Sequence, residues 1–276
     1  MRIDSHQHFW QVSRGDYDWL TPDLQLLYKD FLPTDIQPLL KQAQITKTIL
    51  VQAAATTQET DFMLKLAQQH NFIAGVVGWV DFESEQGLID LQRFSQNSLF
   101  KGVRPMLQDI DDANWILNPK FAPIFEKLIS KDLTFDALVL PKHLDVIITL
   151  SNRYPELNIV IDHGAKPEIE SGETADWYEK MAVIAASANV YCKLSGLVTE
   201  AGEKPELSTI APYMHHLLKC FGSKRLMWGS DWPVINLASD YNQWVKQVEK
   251  FVLPLTAQEQ QSIWATTAQN FYTIDC

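Results

Sequence analysis

The chain has 276 residues, 46% of them hydrophobic and 21% charged, which is enough apolar material to bury a large core and too much for a disordered or fibrous protein. Lys and Arg number 23 against 34 Asp and Glu, a formal charge of −11. That charge opposes a phosphate backbone or an anionic leaflet, so neither nucleic acid nor a membrane is an expected partner.

The opening, Met1-Arg2-Ile3-Asp4-Ser5-His6, sets an acid and a histidine where a signal peptide needs an apolar run, and it reads as a first strand over residues 2–8. Further β-branched or apolar runs predict strands at 47–52, 72–80, 100–106, 133–139, 158–163, 190–195 and 225–231. Segments of helical spacing follow them, among them 59–70, 176–186, 210–221 and 240–251. The last segment opens Thr256-Ala257-Gln258-Glu259, a capping-box spacing that predicts one extra C-terminal helix. No run reaches the ~18 apolar residues of a membrane helix. Cys192, Cys220 and Cys276 form no CxxC pair, which fits a reducing cytoplasm.

Eight βα units in 276 residues average about 34 residues each, close to the size of a (β/α)8 TIM barrel. No linker or composition shift interrupts them, so residues 1–276 read as a single α/β domain. A doubly wound open sheet is the competing architecture, but no strand runs into a GxGxxG turn. Homo-oligomer formation is compatible with this composition and is left open by it. The connection over residues 9–33 is unusually long and carries Trp10, Tyr17, Trp19, Tyr28 and Phe31, as a functional loop would.

Barrel enzymes place their chemistry at the C-terminal ends of the strands. Strand 1 ends in His6-Gln7-His8, and alternation points both imidazoles to one side. Strand 6 ends in Asp162-His163, strand 8 in Gly229-Ser230-Asp231, and strand 4 carries Arg104. Imidazoles and a carboxylate suit a divalent ion of the zinc type, with His6, His8, His163 and Asp231 as ligands. Without an ion, Asp231 can take a proton from water while the histidines and Arg104 stabilise a developing oxyanion. Each residue also has an ordinary structural reading. One histidine of the pair can bond a loop, His163 can be satisfied by a carbonyl, Asp231 can cap a helix, and Arg104 can pair with Asp109 or Asp111. His70, His215 and His216 fall in helices, and His143 either starts a helix or reaches the cup. Asp136, a carboxylate in an apolar strand, either contacts substrate or bridges the barrel.

At these residues the chain resembles the amidohydrolase superfamily, in the branch of predicted metal-dependent hydrolases that includes sugar lactonases of the L-fuconolactonase kind. The matching stretches are Ile3-Asp4-Ser5-His6-Gln7-His8-Phe9-Trp10, Gly102-Val103-Arg104, Asp162-His163-Gly164-Ala165-Lys166-Pro167, Lys193-Leu194-Ser195-Gly196 and Gly229-Ser230-Asp231-Trp232-Pro233. The resemblance implies a TIM barrel that hydrolyses a small polar lactone. Asp231 is then the general base, with His6, His8 and His163 as metal ligands or carbonyl polarisers. Binuclear members also use a carboxylated lysine on strand 4 and a histidine on strand 5. Here Lys101 stands near the start of strand 4 and strand 5 offers Asp136, leaving one divalent ion, zinc by donor type, or none. No nucleotide or organic cofactor is expected.

The substrate side is expected to involve Arg104 and Asp136, with Trp10, Trp232 and Trp19 as pocket walls. Trp177, Trp244 and Trp264 lie in helical patterns and read as packing residues. Two other functions fit the same residues: a zinc-dependent non-oxidative decarboxylase of an unsaturated carboxylate, and a barrel that binds a small ligand without turning it over.

Overall fold

Every predicted strand forms, and each is shorter than the run that predicted it. The computed structural model describes residues 1–172, 175–203 and 205–275. Its strands are β1 (Ile3–Gln7), β2 (Lys47–Val51), β3 (Ile73–Gly78), β4 (Phe100–Val103), β5 (Thr134–Ala137), β6 (Ile159–Ile161), β7 (Val190–Leu194) and β8 (Leu226–Trp228). They pair in parallel in chain order. The seam between β8 and β1 closes beyond the ladder, where Asp231 N donates to His6 O at 2.8 Å and His8 N to Trp232 O at 2.7 Å. At the C-terminal ends His8, Arg104, His163 and Asp231 lie just past the strands, where the chain turns outward into the βα loops.

Among the described residues, eight helices cover the outside: α1 (Pro33–Ala43), α2 (Thr57–Gln69), α3 (Glu85–Phe94), α4 (Ala122–Ser130), α5 (Leu144–Arg153), α6 (Ala175–Ile184), α7 (Leu207–Phe221) and α8 (Tyr241–Val252). In α8, Tyr241, Trp244, Val248 and Phe251 recur at helical spacing and are all buried. The carboxylate of Asp240 starts that helix by accepting from Gln243 N at 2.9 Å. Trp244 Nε1 then donates to Gly229 O at 2.9 Å, which ties the helix to the turn that carries Asp231. Trp177 and Trp264 are likewise packing residues, 1% and 4% exposed.

The extra C-terminal helix is present in two pieces, α9 (Ala257–Gln261) and α10 (Thr267–Phe271), joined by a π-helical turn over Ser262–Thr266. The capping box forms: Thr256 Oγ1 accepts from Glu259 N at 3.3 Å, and Glu259 Oε2 accepts from Thr256 N at 2.9 Å. The segment closes the floor of the barrel, since Phe271, Tyr272 and Ile274 join Ile3, Ile49 and Met227 in one buried apolar cluster. Lys101 belongs to this end, with its Nζ on Thr273 O at 3.0 Å.

Cys192 and Cys220 are free thiols, and Cys276 lies outside the described residues. Among the described residues no helix is long and apolar enough to cross a membrane.

Candidate active site

Three imidazoles converge on one carboxylate oxygen. His6 Nε2, His8 Nε2 and His163 Nε2 lie 3.7, 3.3 and 3.9 Å from Asp231 Oδ1. The alternation of β1 sets His6 and His8 side by side, with their Nε2 atoms 3.2 Å apart. His8 Nδ1 donates to Val51 O at 2.8 Å, which aims its Nε2 at Asp231. His163 Nδ1 meets Ser195 Oγ at 2.9 Å, which turns its Nε2 toward Asp231.

The backbone that aims these groups is left-handed. Asp231 has φ 59°, and His163, Gly164, Ala165 and Lys166 follow one another at 54°, 57°, 61° and 49°. For residues other than glycine this conformation costs roughly 1–2 kcal/mol each, so the surroundings must impose it. Trp177 Nε1 does so by donating to Gly164 O at 2.6 Å. Gly196 does so by absence, because a Cβ there would stand 2.6 Å from the His163 ring. On the other side, buried Asp4 accepts from Ser230 N at 2.8 Å and from Tyr241 Oη at 3.0 Å, fixing the turn before Asp231.

Burial opposes the charge on Asp231, but His163, His8 and His6 outweigh it and hold the carboxyl well below the usual range. Burial lowers His163 to about 4, against the pull of Asp231 and Asp162. His6 is also held well below its ordinary value, by burial and then by the Lys193 charge. At neutral pH the centre is therefore a carboxylate facing neutral His6 and His163.

Arg104 reaches the cup, yet its partners are neither Asp109 nor Asp111. Nη1 binds Asp162 Oδ2 at 3.1 Å, Nη2 donates to Gln52 O, and Nε is buried without a partner among the described residues. Asp136, expected at the substrate, instead bridges the barrel interior. It is fully buried, with Oδ2 on Lys193 Nζ at 2.5 Å and on Tyr272 Oη at 2.7 Å. Trp232, expected as a pocket wall, turns away from the cup and packs edge-on against Phe9 and Phe31. Trp10 and Trp19 do line the cavity. His143 starts a helix, its Nδ1 accepting from Leu140 N at 3.1 Å.

The residue that sequence reasoning left without a role is Lys193. Its Nζ lies 3.0 Å from His6 Nδ1 and 2.9 Å from Asp162 Oδ1, besides the contact with Asp136. A lysine in the apolar run Val190-Tyr191-Cys192-Lys193-Leu194 was the available signal, since a buried ammonium needs carboxylates and two strands nearby carry one each.

Above this floor is a cavity of about 300 Å³ that reaches His8, Arg104, His163, Lys166 and Asp231. Its walls are mostly apolar and include Trp10, Trp19, Leu24, Leu27 and Met106. A larger groove of about 600 Å³ shares Leu237 with it but is lined by Glu203, Glu206 and Asp240 and contains no histidine.

The donor set fits one divalent ion. Among the described residues, His6, His163 and Asp231 are the one group of His, Cys, Asp or Glu whose ligand atoms gather within 4.8 Å, and His8 Nε2 stands beside them, 3.2 Å from His6 Nε2 and 3.3 Å from Asp231 Oδ1. Val51 O behind His8 and Ser195 Oγ behind His163 supply the outer hydrogen bonds that orient such ligands. The positions that would hold a second ion are taken, Asp136 by Lys193 and Lys101 by the opposite end of the barrel.

Comparison with known proteins agrees with this geometry. The amidohydrolase family model matches residues 3–274. An L-fucono-1,5-lactonase of Burkholderia ambifaria is 42% identical over 99% of this chain and 96% of its own length. A second L-fucono-1,5-lactonase, from Burkholderia multivorans, is 35% identical over the same shares. A crystal structure of a Burkholderia multivorans amidohydrolase with bound zinc superposes with a TM-score of 0.94 at 36% identity, over 100% of both chains.

Proposed function

The chain belongs to the amidohydrolase family, and from that premise we propose that it hydrolyses a small sugar lactone, L-fucono-1,5-lactone being the first substrate to test. The observation that carries this reading is the convergence of three imidazole Nε2 atoms on Asp231 Oδ1 beneath a cavity of about 300 Å³.

Asp231, already ionised, accepts a proton from a water molecule whose oxygen bonds to the lactone carbonyl carbon. The carbonyl oxygen becomes an oxyanion. His163, when the Ser195 hydroxyl donates to its Nδ1, presents Nε2–H to that oxygen. The bond between the carbonyl carbon and the ring oxygen then breaks, and the ring oxygen takes the proton from Asp231. Lactone and water give a sugar acid, which ionises and releases one proton. One divalent ion, zinc by donor type, would be held by His6, His8, His163 and Asp231, with the His163 Nε2 then bearing its lone pair, and would polarise the carbonyl in place of the Nε2–H and lower the pKa of water. Apolar walls around Trp10 and Trp19 limit the access of bulk water to the reacting carbon, and the half-buried Trp19 offers a ring on which the sugar face can stack.

A pH-indicator assay over a panel of aldonolactones tests the reading. Acid release above the spontaneous rate is expected with at least one of them. No acid release from any, or carbon dioxide release from an unsaturated carboxylate in its place, overturns it.

A further inference from the structure

The cavity holds two side chains with fixed positive charge, Arg104 and Lys166, and the protein has committed only one of them. The Arg104 charge is paired with Asp162 through Nη1, and Nη2 donates to Gln52 O. The Lys166 ammonium makes no hydrogen bond or ion pair among the described residues, although its side chain borders the same space as His163 and Asp231.

The left-handed turn explains how it comes to be there. Four successive residues at positive φ form one reversed helical turn, closed by Lys166 N donating to His163 O at 2.9 Å. Residues three apart on so tight a turn stack on one face. His163 and Lys166 are therefore delivered together to one cavity, one turn apart. Burial raises the neighbouring Glu200 carboxyl, and the Lys166 charge offsets part of that rise without drawing the two into an ion pair.

The chemistry of the reaction supplies a partner for the unspent charge. The lactone is neutral and the product is an anion, formed inside an acidic protein whose cavity already contains Asp231 and Asp109. We infer that Lys166 is the binding residue for the carboxylate that forms on ring opening, and that it holds the lactone beforehand by donating hydrogen bonds to oxygens of the sugar. This inference rests on the lactonase reading.

Titration calorimetry of L-fuconate, with the uncharged alditol L-fucitol as control, into wild type, Lys166→Met and Lys166→Arg provides the test. Losing a charge-assisted hydrogen bond should weaken L-fuconate binding about tenfold or more in Lys166→Met. L-fucitol binding should change far less, Lys166→Arg should retain most of the affinity for the acid, and thermal melts should coincide. A wild type that hydrolyses aldonolactones, beside a folded Lys166→Met that binds L-fuconate as tightly, overturns this inference alone. A wild type that neither hydrolyses an aldonolactone nor binds L-fuconate overturns the lactonase reading and this inference with it.

Discussion

Ser195 Oγ stands 2.9 Å from His163 Nδ1 and so decides which nitrogen of that ring faces Asp231. The hydroxyl can donate or accept, so one contact serves both forms of the ring: Nε2–H when Ser195 donates, and an Nε2 lone pair when it accepts. The residue after it, Gly196, lets the ring lie flat against the end of β7.

Gly196→Ala should therefore disable the site. The new Cβ would fall 2.6 Å from three atoms of His163, and φ at this position is 66°. We expect the turnover number to fall at least about tenfold, with a stability loss on the order of 1 kcal/mol or more. Steady-state kinetics beside thermal melts check both, and wild-type kinetics would show that the ring does not depend on that gap.

How far the sequence discloses this site can be judged residue by residue. His6 and His8 are legible because a strand has period two, and Asp231 because barrel chemistry sits at strand ends. Trp232 was misjudged because adjacency to Asp231 says nothing about direction; the positive φ of Asp231 swings the next side chain toward Phe9 and Phe31. The role of Lys193 is not legible in the sequence because its partners are remote, Asp136 lying 57 positions away. The fold was more legible than the site, since the βα alternation is a local signal while the buried ion pairs are not. The strand ends were overextended because polar residues beyond the ladder still alternate with apolar ones.

Two tryptophans that touch the same cavity should behave differently when truncated. Trp10 is fully buried, with Nε1 on Lys29 O at 2.8 Å, so Trp10→Ala should cost about 3–5 kcal/mol. Trp19 is half-buried and donates to Ala53 O at 2.7 Å, so Trp19→Ala should act mainly on substrate binding, raising KM several-fold with a smaller change in melting temperature. Chemical denaturation and steady-state kinetics of the pair decide it, and a Trp19→Ala variant with unchanged KM would remove that residue from the substrate wall.

Glu59 gives the protein a pH dependence unrelated to catalysis. Its buried carboxyl accepts from Ala53 N at 2.9 Å and Ala54 N at 2.7 Å, holding the loop after β2, and burial raises its pKa to about 8 from 4.5. Between those values the folded state binds a proton that the unfolded chain has released. Stability should therefore fall as pH rises through this window, by up to about 1.4 kcal/mol per pH unit. The melting temperature of wild type relative to Glu59→Gln should decline from pH 5 to pH 8, since the other titrating groups are common to both; parallel profiles would contradict this.

Among the described residues one cluster of ligand atoms gathers, which limits metal content. Equilibrium dialysis against zinc should load one equivalent per chain, and His163→Asn should weaken binding by about tenfold or more. Two equivalents in the wild type would contradict the assignment of Asp136 and Lys101 to structural roles.

The central claim is that Asp231 activates water for attack on a lactone, and the most direct measurement is the hydrolysis rate of Asp231→Asn with the best aldonolactone of the panel. The account predicts a fall of about 10²- to 10⁴-fold in turnover, with the melting profile of a folded barrel retained. An Asp231→Asn variant that is folded and hydrolyses the lactone within a few-fold of wild type would contradict it.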